Sequence, residues 1–412
     1  MTYPDSVTIR PVTADEFAAF TAAVRAGFGS DGPPVDTSGR FIEMLPPERT
    51  IAAFDGDDIV GTFGGYDFEV TVPGGGTLPM ESTTVVTVFP THRRRGLLTA
   101  MMAMHLDHAA DRGYPLAGLW SSDSDIYARF GYGIAAYYRE ISMHASRIVM
   151  RDEVSIDRVR RISAEEAAVE APVVFDRVRR QRAGMFGRPE SWWRHRIIAD
   201  DEWMRDGKTA RRWVVHDGSE GIDGYAAYRQ KAGFAEGFAD GTVSVVEFCA
   251  ETSEAAASLW SYLTEIDGFP NVEWWNLSVD DPLEKMVREP RRVRTTKLRD
   301  SLWIRILDVP AALEARTYET DLSLTIGIED PFRPATSGNY RIVVASGSAT
   351  VERTDSEPDV VMDIDVAGSL YLGGQNVHAF AEARRVVGEP GAIAATQRLF
   401  ATQRAPWCQD VF

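Results

Sequence analysis

The sequence has 412 residues, 44% of them apolar and 25% charged, which fits a soluble globular chain of two or three domains and excludes disordered and fibrous classes. The formal charge of −17, with a pI near 4.9, argues against nucleic acid and anionic membranes as partners and in favour of cationic small molecules. Two cysteines, Cys249 and Cys408, make neither a disulfide framework nor a metal-ligand spacing. No stretch reaches the length of a membrane span and no signal-peptide pattern opens the chain, so a cytoplasmic protein without a metal centre is expected.

In chain order, residues 7–10 read as a strand, and Thr13, Asp15 and Glu16 open an amphipathic helix with Phe17, Phe20 and Val24 on its apolar face. After a Gly/Pro-rich loop at 29–38, strands are expected at 51–54, 59–68 and 69–72, then the turn Pro73-Gly74-Gly75-Gly76 and a strongly apolar strand at 83–89. From Gly96, Leu97, Leu98, Met101, Met102, Leu106 and Ala109 recur at helical spacing up to Gly113. A strand at 116–121, a short helix at 123–130 and a strand at 136–144 close a first domain, 1–150. A second α/β domain, 151–300, has a charged helix at 163–182 and strands at 213–216, 225–229 and 243–249. The third domain, 301–412, is α+β, with strands at 302–307 and 342–345 around the turn 346–348. The first two domains are candidates for distant copies of one fold.

The segment VVTVFPTHRRRGLLTAMM sets a strand, a tight basic loop and a helix in immediate succession. Free N–H groups and about half a positive charge at the helix start, with Gly96 for flexibility, suit a pyrophosphate, and Arg93, Arg94 and Arg95 add fork-shaped donors. A solvated basic turn before a surface helix gives the same pattern, so the segment alone leaves both readings open. The general GNAT pattern Arg/Gln-x-x-Gly-x-Gly/Ala is matched at Arg93 and Gly96 and broken at Leu98.

Together, VVTVFPTHRRRGLL, IYARFGYG, LWIRILDVPAALEARTY and DVAGSLYLGG resemble the Eis family of actinobacterial GNAT aminoglycoside acetyltransferases, in that family's order. The resemblance implies an α/β (α+β) fold of tandem GNAT-like domains followed by a sterol-carrier-protein-like α+β domain, assembled as a homohexamer. It implies acetyl-CoA as cosubstrate and a cationic amine as acceptor. By the same resemblance the acetyl-CoA pocket uses the backbone of Val86, Thr87 and Val88 and the turn Arg93, Arg94, Arg95, Gly96, Leu97, Leu98 and Thr99. Ser122 and Asp123 match the family's serine-acidic pair.

Tyr127 matches the family's general acid, and the α-carboxylate of Phe412 its base. A phenol titrating near ~10 stays protonated at neutral pH and can donate to a departing thiolate. Without the resemblance, Tyr127 reads as a half-buried aromatic and the terminus as frayed. Phe28, Asp31, Glu81 and Asp410 fall at or near the family's amine pocket, although each acid alone reads as a surface group.

His105 and His108, three apart on the long helix, read as helix-face residues because no Glu-His partner motif accompanies them. Trp192 and Trp193 read as core beside a solvated rim, and GGYDFEVTVPGGG lacks the context of a dinucleotide site. Two other functions remain compatible with the sequence: acetylation of a protein lysine, and non-catalytic binding of a small molecule.

Overall fold

Alternating and continuous apolar runs in the first third of the sequence build one seven-stranded sheet. The computed structural model describes residues 7–30, 39–156 and 158–412. Strand β1 is Val7–Pro11, β2 Thr50–Asp55, β3 Asp58–Thr71, β4 Thr77–Val88, β5 Leu116–Trp120 and β6 Gly133–Ile134. The helices are α1 (Phe17–Gly27), α2 (Arg40–Met44), α3 (Leu97–Asp111) and α4 (Ser124–Tyr127). The two strands expected at 59–68 and 69–72 are one fourteen-residue strand, β3, which ends at Thr71 and is long enough to pair with both β2 and β4.

The sheet order is β1-β2-β3-β4-β5, then the strand Leu302–Ile306, then β6. Every pairing is antiparallel except β4 with β5, which α3 connects. The apolar face of α3, carrying Leu97, Met101, Met102, Leu106 and Ala109, packs on Ile51, Ala53, Val60, Phe63 and Leu119. Helix α1 covers the other face with Phe17, Phe20 and Val24 against Ala52, Phe54 and Ile59.

Two strands depart from the expected domain assignment. The strand Tyr137–His144, expected to close the first domain, belongs to a second seven-stranded sheet. The strand Leu302–Ile306, expected to open the third, completes the first sheet between β5 and β6. All five of its residues are buried, which requires cover on both faces and neighbours on both edges. Long-range pairing of this kind leaves no local signal. Its Arg305, fully buried, is ion-paired with Asp330.

The second sheet repeats the first one's device. Thr242–Ala250 and Asn271–Ser278 are parallel and joined by the helix Ser253–Thr264. Trp192 and Trp193 are in the core of this part of the chain. A third, five-stranded sheet runs Ser348–Thr354, Gly338–Ala345, Leu322–Glu329, Val360–Asp363, Val386–Gly388, with helices Ile364–Tyr371 and Pro390–Phe400. The chain forms two compact units: one holds the residues up to Ala136 with Ser301–Gln403 and Asp410–Phe412, the other Tyr137–Asp300 with Arg404–Gln409.

Candidate active site

The site begins where two parallel strands part. Pairing of β4 with β5 ends at Ser82 with Gly118, while β4 continues to Val88. On its other edge β4 stays joined to β3, but the register slips: Thr87 faces Thr62 and Thr84 faces Gly64, leaving Val85 and Val86 opposite Phe63 alone. This is a β-bulge, and Val85 sits in it at φ 48°, a left-handed conformation that a β-branched side chain rarely adopts. The hydroxyl of buried Thr62 donates to the Val85 carbonyl at 2.7 Å and shares a second 2.7 Å hydrogen bond with the Thr87 hydroxyl.

Beyond the bulge, Phe89 N–H donates to Val60 O at 2.9 Å, so Thr87 and Phe89 bond toward β3 while Val86 and Val88 turn their backbone groups toward the parted edge. Val88 O accepts from Arg93 Nε at 3.2 Å there. The end of α1 lies against this strand: a Cβ on Gly27 would meet Thr87 side-chain atoms at 2.7–2.9 Å, an approach only glycine permits.

Strand β4 leads into a single turn of 3-10 helix, Pro90–His92, held by His92 Nε2 against Asp55 Oδ2 at 3.1 Å. Arg94 (φ 62°) and Gly96 (φ 79°) then reverse the chain into α3, whose N-cap is Gly96. The first-turn N–H groups, from Leu97, Leu98 and Thr99, have no intrahelical acceptor. Arg93, Arg94 and Arg95 are exposed around them. Backbone donors, helix dipole and three cations thus converge on one turn, beside an open strand edge.

Tyr127 ends α4, 6% exposed, its ring edge-on to Tyr132 at 6.2 Å. Burial, and secondarily the charge of Asp123, push its phenol up to about 12. Asp123 and Ser122 are exposed, and Asp123 caps α4 by accepting from Asp125 N at 3.2 Å. Phe412 places its ring 5.7 Å from that of Phe68, at 76°, and Asp410 is buried. Phe28 is 56% exposed just past α1. Asp31 lies outside the described residues.

Glu81 is 2% exposed. A Cβ on Gly65 would strike Glu81 Oε1 and His105 Cε1, so Glu81 shares the α3 face of the sheet. Phe68, three residues on, points to the opposite face. Glu81 accepts from Arg49 Nη2 at 2.8 Å and lines a cavity of about 340 Å³ with Glu48, Arg49, His105, His108 and Asp111. Burial raises its carboxyl to about 7 despite Arg49. His105 lies beside it, Nδ1 3.8 Å from Glu81 Oε1. It is buried, its Nε2 2.9 Å from the Thr83 hydroxyl, which is itself 2.9 Å from the Tyr132 hydroxyl. Burial, aided by Arg49, lowers His105 to about 3. Thr62, Thr83 and Phe68 escaped the sequence reading because each owes its place to the register between strands, while Tyr132, just before β6, is joined to them by its hydrogen bond with Thr83. Only the alternation in Gly-Tyr-Asp-Phe-Glu hinted at Phe68.

Known proteins share this architecture. Residues 8–135 and 184–306 each match an acetyltransferase (GNAT) domain model, and residues 309–409 match a sterol carrier protein domain model. An uncharacterized N-acetyltransferase from Streptomyces avermitilis is 36% identical over 407 residues, covering 98% of this chain and 99% of its own. The N-acetyltransferase Eis of Mycobacterium tuberculosis is 31% identical over 398 residues, 92% of this chain and 93% of its own. The crystal structure of Eis1 from Mycobacterium abscessus superposes with a TM-score of 0.86 at 30% identity, covering 98% of this chain and all of that one. Two GNAT domains and a sterol-carrier domain define an N-acetyltransferase of the GNAT type, a class that takes its acyl group from acetyl-CoA. The chain belongs to the Eis family.

Proposed function

We propose that this chain transfers the acetyl group of acetyl-CoA to amines of cationic small molecules such as aminoglycosides, by direct attack within a ternary complex, and that it works as a homohexamer. The observation that carries the reading is the parted edge of β4, which exposes the Val86–Val88 backbone and runs directly into the Arg93–Thr99 turn. A thioester laid along that edge has its carbonyl within reach of strand N–H groups and its phosphates at the helix start. Ser122 and Asp123 border the same opening from the end of β5.

Tyr127 attends the leaving thiolate. Its phenol, near 12, lies above a thiol that titrates roughly as cysteine does, at about 8.5, so at equilibrium the phenol keeps its proton. Tyr127 therefore stabilises the thiolate by donating a hydrogen bond, and solvent completes the protonation. The Phe412 carboxylate accepts the proton of the attacking amine, while Asp410 and Phe28 border the acceptor. A net charge of −17 draws cationic amines to such a site.

The test follows acetyl transfer to an aminoglycoside by mass and thiol release, for the chain ending at Phe412 and for one extended by a short tag. The tag turns the carboxylate into a neutral amide, and turnover should collapse at unchanged thermal stability. Equal turnover would remove the carboxylate from the mechanism. Thiol release only with a lysine peptide would replace the small-molecule acceptor, and light scattering tests the hexamer.

A further inference from the structure

The geometry points to Phe68 as the positioning residue that seats the ring of Phe412 and so aims the terminal carboxylate. This rests on the proposal that the carboxylate accepts the amine proton. A chain end is ordinarily frayed, and a proton acceptor on a frayed end would spend most of its time out of reach. Something must hold it.

Gln409 and Asp410 are buried, Val411 is exposed and Phe412 is half-buried, so the chain turns inward again at its last side chain. The inward ring of Phe412 meets Phe68 edge to face, 5.7 Å between centroids at 76°, within the range that aromatic quadrupoles favour. Phe68 is itself fixed: it is 3% exposed, and Tyr66, two residues earlier on the same face of β3, stacks on it at 5.4 Å. The fourteen-residue β3 pairs throughout this stretch with β4, Tyr66 opposite Ser82 and Phe68 opposite Met80. The seat therefore stands on the strand that pairs with β4 across the bulge bordering the acyl-donor edge. The carboxylate hangs on the same Cα as the seated ring, so holding the ring restricts the carboxylate to a few rotations.

Three substitutions test this. Phe68→Leu keeps apolar bulk but removes the ring, Phe412→Leu keeps the carboxylate but removes the ring, and Phe68→Tyr keeps the ring. Each leucine variant should lower kcat two- to tenfold, the range one aromatic pair supports, and leave the acetyl-CoA KM unchanged. The double leucine variant should be no slower than the slower single one, and Phe68→Tyr should retain parental kcat. Phe412→Leu touches only the chain end, so it remains informative if Phe68→Leu loosens the core. Parental kcat in Phe412→Leu, or fully multiplicative losses in the double variant, would overturn the seat. If the tag abolishes turnover while Phe412→Leu is parental, the carboxylate role stands and the seat alone fails. If the tag is harmless, the underlying mechanism fails first.

Discussion

Tyr127 and Glu81 are both buried ionisable groups, and in each burial raises the titration point of the side chain. Tyr127 is found through IYARFGYG, and its environment then sets its chemistry: near 12, the phenol stays protonated across the working range. Tyr127→Phe should lower kcat on the order of 10²-fold with acetyl-CoA affinity retained, and the parent should show no alkaline loss below pH 10 traceable to this residue. A pH–rate profile of both proteins checks this, and parental turnover in a folded Tyr127→Phe excludes the residue. Which face of the sheet Glu81 occupies is set by the register between β3 and β4, and an acid in a strand carries no local sign of it. Its carboxyl, near 7 when folded and 4.5 ordinarily, is protonated in both states below pH 4.5. Between 4.5 and 7 the unfolded chain releases the proton first, so stability falls with rising pH, by on the order of 3 kcal/mol at most. His105, near 3 against 6.5, acts oppositely and removes stability as pH falls below 6.5. Glu81→Gln should erase the first slope, so its Tm relative to the parent rises between pH 5 and pH 8. A constant difference in Tm across that range would mean that Glu81 does not titrate there.

Helices and loops of the N-terminal domain were legible because their signals are local: the Thr13/Glu16 capping box, the apolar stripe of α3 and the Gly96 reversal are all visible in a few neighbouring residues. The bulge in β4 was not, since it exists only between two strands. Thr62 holds it, with a hydroxyl that satisfies the Val85 carbonyl and Thr87 together. Thr62→Val keeps the shape and leaves that half-buried carbonyl without its donor, a loss of about 0.5–1.5 kcal/mol. We expect a lower Tm and a raised acetyl-CoA KM in Thr62→Val, with Thr62→Ser restoring both. If Thr62→Val binds acetyl-CoA as the parent does, the hydroxyl contributes stability alone.

For the molecule as a whole, tandem GNAT domains and a sterol-carrier domain were legible through separated motifs in a fixed order, while the strand Leu302–Ile306 went to the wrong sheet. Leu302, Trp303, Ile304 and Ile306 are each at most 4% exposed, except that none of them belongs by sequence to the domain they complete. At about 1.5–3 kcal/mol apiece their burial amounts to much of a domain's typical net stability of about 5–15 kcal/mol. A fragment of residues 1–150 should therefore lack a cooperative melt and gain no Tm from acetyl-CoA. A sharp transition shifted by acetyl-CoA would show that the first sheet closes without that strand. The same strand sets a timetable for synthesis. On the ribosome, β5 emerges with its partner still about 180 residues from being translated, a wait on the order of 10–40 s at typical elongation rates. Throughout that interval the nascent chain presents an open strand edge, a template for pairing with another polypeptide. The N-terminal GNAT domain, first to be translated, is thus among the last parts to finish folding, and the growing chain needs a holdase, or slow local collapse, to keep that edge from the wrong partner.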